Sequence, residues 1–78
     1  LKQFNKKELV ITEGKVCKDL FFLHKGAFRY FILHDGKEFT KDFAIDHQNP
    51  FCTSFTSFIK QEPSQIWIEA IEHSIVWG

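Results

Sequence analysis

Residues 27 to 44 read AFRYFILHDGKEFTKDFA. Asp35-Gly36 stands between two runs dense in aromatic and branched side chains, Ala27 to Leu33 and Glu38 to Ala44. Asp-Gly in that setting is a strong short-range signal for a β-hairpin, because a two-residue turn needs positive φ and Gly supplies it without steric cost. A chain with this hairpin near its centre is built around antiparallel sheet. Phe39, Lys41 and Phe43 alternate along the second run, which predicts a half-buried strand with these residues on one face.

The flanking sequence extends the pattern. Leu9-Val10-Ile11 is a short β-rich run, and Thr12 to Lys15 reads as the turn after it. Leu20 to Leu23 is apolar and is ended by Gly26; Asp46 to Pro50 is a polar loop. Ser54 to Lys60 suits a short helix, with Phe55, Phe58 and Ile59 at helical spacing and Thr53 or Ser54 as N-cap. Pro63 forbids its continuation. Ile66, Ile68 and Ala70 then alternate with Trp67 and Glu69, and Ile75 to Trp77 begins a last strand. The sum is six or so short strands, one hairpin and one short helix, which favours a β-sandwich or barrel over any α/β alternation.

A chain of 78 residues holds one small domain, which buries only about 60% of its unfolded surface. Ten Phe, two Trp and one Tyr supply a core at that size, since each aromatic buries roughly 150–250 Å². Ten basic and ten acidic residues cancel. That balance argues against a phosphate-neutralising surface, so this segment is not expected to contact nucleic acid itself. No apolar run is long enough to span a membrane, and the expected location is the cytoplasm. Cys17 and Cys52 form no C-x-x-C pair and are expected as semi-buried thiols, with a disulfide or redox role as the alternative. His24, His34, His47 and His73 are scattered without metal-ligand spacing. The chain starts at Leu1, contains no Met and stops at Gly78 directly after an apolar run. It is therefore expected to be a piece of a longer protein, cut at both ends.

The run GKVCKDLFFLHKGAFRYFILHDGKE, followed by FCTSFTSFIKQEPSQIWIEAIEHS, resembles the cyclic-nucleotide-binding domain of Crp/Fnr-type bacterial transcription regulators, of the divergent type common in Bacteroidetes. Glu13, Gly14, Leu20, Phe21, Phe22, Leu23 and Gly26 fall in register on the family pattern, and so do the Asp35-Gly36 turn and Glu69-Ala70-Ile71-Glu72. The resemblance covers nearly the whole chain. It implies a mainly β jelly-roll sandwich (a double-stranded β-helix) over residues 1–78, with a short helix in the place of the phosphate-binding cassette. It implies a non-enzymatic sensor module for a small-molecule effector. The full-length protein would be a homodimer and would reach DNA only through a dimerisation helix and helix-turn-helix that this segment lacks. Two alternatives stand beside it: a similar module on a kinase subunit or channel, and a cupin-like metal-dependent enzyme, for which the clustered histidines are missing.

In cyclic-AMP-binding members the cassette carries Gly-Glu near its start and Arg followed by Ser or Thr near its end. Glu accepts from a ribose hydroxyl and Arg pairs with the cyclic phosphate. Carried over from Ile66 to Ala70 without gaps, the Gly and Glu positions become Thr53 and Ser54, and the Arg and Ser/Thr positions become Ser64 and Gln65. The candidate ligand contacts are thus Thr53, Ser54, Phe55, Ser64 and Gln65, in a degenerate site without charged anchors. No cofactor is expected, and tight cyclic-nucleotide binding is not expected. Read purely as structure, the same residues have other uses: Phe51, Phe55 and Phe58 as core, Thr53 and Ser54 as caps, Ser64 and Gln65 as turn residues after Pro63.

Overall fold

A computed structural model describes residues 1–78. In chain order the elements are β1 (Lys2–Phe4), β2 (Leu9–Ile11), β3 (Phe21–Lys25), β4 (Ala27–His34), β5 (Lys37–Ile45), β6 (Phe51–Cys52), α1 (Phe55–Lys60), β7 (Trp67–Ala70) and β8 (Ser74–Trp77). They form two four-stranded antiparallel sheets, ordered β1-β8-β3-β6 and β2-β7-β4-β5. This is the expected sandwich with one short helix. The two strands beyond the expected count are β1 and β6. Neither carries a strand pattern of its own, and both exist by pairing, β1 with β8 and β6 with β3.

The hairpin forms as its sequence demands. His34 pairs with Lys37, and Asp35 and Gly36 both take positive φ, 52° and 76°, which makes the connection a two-residue turn matched to strand twist. The strand after it departs from expectation. Tyr30 pairs with Asp42 but Phe31 with Thr40, leaving Lys41 as a bulge. A bulged residue reverses the alternation beyond it. Phe43 therefore shares the outer face with Arg29, while Phe39, opposite Ile32, lies on the inner side. Both rings are more than two-fifths exposed, so β5 is not the half-buried strand that its alternation suggested.

The core lies between the sheets. Phe21 and Leu23 of β3, Val76 of β8 and Cys52 of β6 face Phe28 and Tyr30 of β4, Ala44 of β5, and Ile68 and Ala70 of β7. Phe4 closes one end, with its ring edge-on to Phe21 at 5.7 Å and to Phe28 at 5.6 Å. Such edge-to-face pairs add to simple area burial.

Between β3 and β4 the chain crosses from one sheet to the other through a single residue, Gly26. Its N–H donates to Asp46 Oδ2 at 2.9 Å. Ser74 completes the corner: its hydroxyl accepts from Ala27 N–H at 3.2 Å and donates to the Glu72 carbonyl at 2.9 Å. Ser74 is fully buried. Ser74→Ala leaves the Ala27 N–H without this partner, which is expected to cost about 1–3 kcal/mol. Urea denaturation checks this; an unchanged midpoint contradicts it.

The outer face of the β2-β7-β4-β5 sheet holds the chain's only arginine. Arg29 reaches Glu38 at 2.7 Å and Glu69 at 2.9 Å and lies 4.2 Å above the Phe31 ring. Phe31 in turn stacks on Trp67. These neighbours bury Phe31 although it is on the outside of the sandwich. The hydrogen bond to Glu38 is the largest influence raising the Arg29 pKa, so the guanidinium is held charged in this network.

Candidate functional site

Residues 53 to 66 cross the inner face of β4 and β5 and enclose a cleft of about 310 Å³. A cleft of this volume is at the small end of ligand pockets. Tyr30 and Asp42 from the sheet, Asn49 from the loop before β6, residues 53 to 57, and Glu62, Pro63, Gln65 and Ile66 line it. Of the five candidate residues, Thr53, Ser54, Phe55 and Gln65 are in this lining. Ser64 is not. It is buried behind the cleft with its hydroxyl 2.8 Å from that of Ser54, and it faces an adjoining depression with Glu13 and Gly14.

The helix turns over relative to expectation. Phe55 is 49% exposed and Ile59 74%, and Phe51 is also at the surface. Phe58 is only partly buried. The buried side of α1 is instead Ser57, flanked by Thr53 and Ser54. The cause is local backbone demand, since buried N–H and C=O groups must be paired. Thr53 Oγ1 donates to the Asp19 carbonyl at 2.6 Å. Ser57 Oγ accepts from Cys17 N–H at 2.8 Å and donates to the Glu62 carbonyl. A phenylalanine at these positions would leave those groups unpaired. Ser54 does occupy the N-cap position, but its hydroxyl makes no cap bond and goes to Ser64 instead. Gln61 ends the helix in the left-handed conformation, with φ 55°.

The segment after the helix is stitched to the Gly14 turn. Gly14 N–H donates to the Ser64 carbonyl at 2.8 Å and Ser64 N–H to the Lys15 carbonyl at 2.7 Å. The position where the resemblance places a phosphate-binding arginine is therefore a buried serine, held by backbone and by Ser54.

The cleft floor is tied to the core through Tyr30 and Cys52. The Tyr30 hydroxyl donates to the Phe51 carbonyl at 3.3 Å and accepts from Thr53 N–H at 3.2 Å. Burial is the main cause raising the Tyr30 pKa well above its usual value, and burial pushes the Cys52 thiol up to about 12. Cys17 and Cys52 are both free and fully buried rather than semi-buried. The folded chain holds the Cys52 proton to higher pH than the unfolded chain, whose thiol titrates near the ordinary 9.0. Between those values the unfolded state binds fewer protons, so stability falls as pH rises. Tyr30 acts in the same direction at still higher pH. The urea midpoint is expected to fall steadily above about pH 9 and to fall less in Cys52→Ala; an unchanged midpoint up to about pH 11 contradicts this.

None of the twelve lining residues is Lys, Arg or His, and two, Asp42 and Glu62, are carboxylates. Lys60 sits in the last helical turn, outside the lining. Sequence reasoning missed Tyr30, Asp42, Asn49, Thr56, Ser57, Glu62, Pro63 and Ile66. Tyr30 was legible, because alternation along β4 places it on the face of Phe28. Asp42 was not, because the bulge at Lys41 is invisible in the sequence.

No family model matches the chain, and no curated protein matches it significantly. Solved structures do. An EAL enzyme, Bd1971, in its cAMP-bound form superposes with a TM-score of 0.85 at 13% identity, over 97% of this chain and 20% of that one. A CooA variant from Carboxydothermus hydrogenoformans gives a TM-score of 0.67 at 17% identity, over 96% of this chain and 44% of that one. Reduced CprK in the absence of any ligand gives 0.69 at 22% identity, over 96% of this chain and 34% of that one. CooA and CprK are Crp/Fnr-family regulators. The chain has the cyclic-nucleotide-binding-like fold and spans less than half the length of each of these proteins. No helix is long and apolar enough to cross a membrane.

Proposed function

We propose that the chain is the non-enzymatic effector-sensing module of a Crp/Fnr-type transcription regulator. The observation that carries this is the superposition of 96% of the chain on CooA and CprK, with the cleft lying where the cassette segment crosses the sandwich. Phe55 and Gln65 would meet the effector directly, Thr53 and Ser54 would shape the wall of the cleft, and Ser64 would hold Ser54 in place. The effector would act by binding one state of a homodimer more tightly than another, since a ligand shifts an equilibrium only by its differential affinity. DNA contact would belong to a separate helix-turn-helix, consistent with the zero formal charge of this segment.

A second reading has one observation in its favour. The same fold superposes at 0.85 on a domain of an EAL enzyme, so a module of this kind also serves a chain whose output is catalytic. The gene distinguishes the two. An amphipathic helix and a helix-turn-helix encoded after Gly78 are expected for the regulator. An EAL, kinase or channel sequence in that place would contradict it.

A further inference from the structure

We infer that the cleft takes a small organic cation, an ammonium group on a compact apolar body, and rejects anions of the same shape. The inference rests on the sensor reading only in placing the ligand in this cleft.

The cleft's buried hydroxyls are already committed. Thr53 donates to the Asp19 carbonyl, Ser57 to the Glu62 carbonyl, and Ser54 and Ser64 bond each other. The Tyr30 hydroxyl is shared between the Phe51 carbonyl and Thr53 N–H. A ligand therefore meets the remaining groups. Asp42 spends one carboxylate oxygen on Phe43 N–H, which leaves Oδ2. Asn49 uses one of its two amide N–H groups on the Phe43 carbonyl, which leaves its oxygen and the second N–H. The Glu62 carboxylate makes no bond within the chain. Asp42 and Glu62 offer acceptors only and are negatively charged, with no cation in the lining to balance them, while Asn49 can accept as well as donate. Thr56 and Gln65 are adaptable side-chain partners. Tyr30, Phe55, Pro63 and Ile66 supply apolar surface, and the two rings suit a cation as well. The one arginine that could reverse this polarity is ion-paired on the opposite face of the sheet.

Three probes of one shape and different charge test this: 2-phenylethylammonium, 2-phenylethanol and phenylacetate. Each is titrated into the ¹⁵N-labelled chain at neutral pH and low salt. The cation is expected to move the amides of Thr53 to Ser57, Glu62 and Ser64 to Ile66, with an affinity about tenfold above that of phenylacetate and with the alcohol between them. Asp42→Asn combined with Glu62→Gln is expected to reduce that gap to about threefold or less. Both carboxylates are at the surface, so the double variant is expected to fold, and its spectrum shows whether it does. Equal or tighter binding of phenylacetate overturns the inference, as does the absence of cation-induced shifts at the cleft or a gap that survives in the folded double variant. The outcome is independent of the sensor reading: an unexpected output domain leaves the ligand class standing, and an anion preference leaves the regulator standing.

Discussion

Gly26→Ala is expected to destabilise the chain by about 2–6 kcal/mol. About 1–3 kcal/mol of this is backbone strain, because Gly26 has φ +125°, where L side chains are rarely found. Another 1–3 kcal/mol, approximately, is overpacking, because a Cβ there collides with the Ser74 side chain and with its Cα. The backbone cannot step aside easily, since Gly26 N–H is bound to Asp46 and the next N–H to Ser74. A domain of this length has a total stability of about 4–12 kcal/mol, so the variant loses a large fraction of it. Gly36→Ala is the control. Gly36 also has positive φ but open space around its Cα, and its substitution is expected to cost only about 1–2 kcal/mol. Urea denaturation of both variants checks the pair. If Gly26→Ala costs no more than Gly36→Ala, the one-residue crossing between the sheets is not the constraint argued for it.

The second large effect concerns cyclic AMP. In the members that the sequence resembles, a Glu and an Arg grip the nucleotide; the resemblance would put Ser54 and Ser64 in those places, and these two hydroxyls bond each other. A hydrogen bond to a charged group contributes about 1.5–3 kcal/mol, so the absence of two corresponds to about a 10²–10⁴-fold loss of affinity. Nothing in the fold restores the missing charge. Arg29 is engaged by Glu38 and Glu69, Lys60 is outside the lining, and Asp42 and Glu62 present negative charge to an incoming phosphate. Ser64 is also too deeply placed to be replaced by Arg without displacing Ser54.

The sheet framework was legible because local rules decided it. Asp35-Gly36 dictates its turn, and the runs at β2, β3, β4, β7 and β8 carry their own apolar pattern. The bulge at Lys41 was hidden, because it reflects how β5 fits against β4 rather than any residue preference, and with it went the placement of Phe39, Phe43 and Asp42. The helix shows a different limit. Phe55, Phe58 and Ile59 are correctly spaced for one helical face, but spacing does not say which face is inside. Distant backbone groups at Cys17 and Asp19, together with the Glu62 carbonyl, decide that, and they select the hydroxyls of Thr53 and Ser57. Of the candidate residues, Thr53, Ser54, Phe55 and Gln65 line the cleft and Ser64 lies behind it. The carboxylates of Asp42 and Glu62 in the same lining were not foreseen, because one comes from a bulged strand and the other from the segment after the helix.

We propose that the cassette's position survives in this fold without its anion chemistry. Calorimetric titration of cyclic AMP into the chain tests it most directly. Binding no tighter than millimolar is the predicted result, and micromolar binding would contradict it.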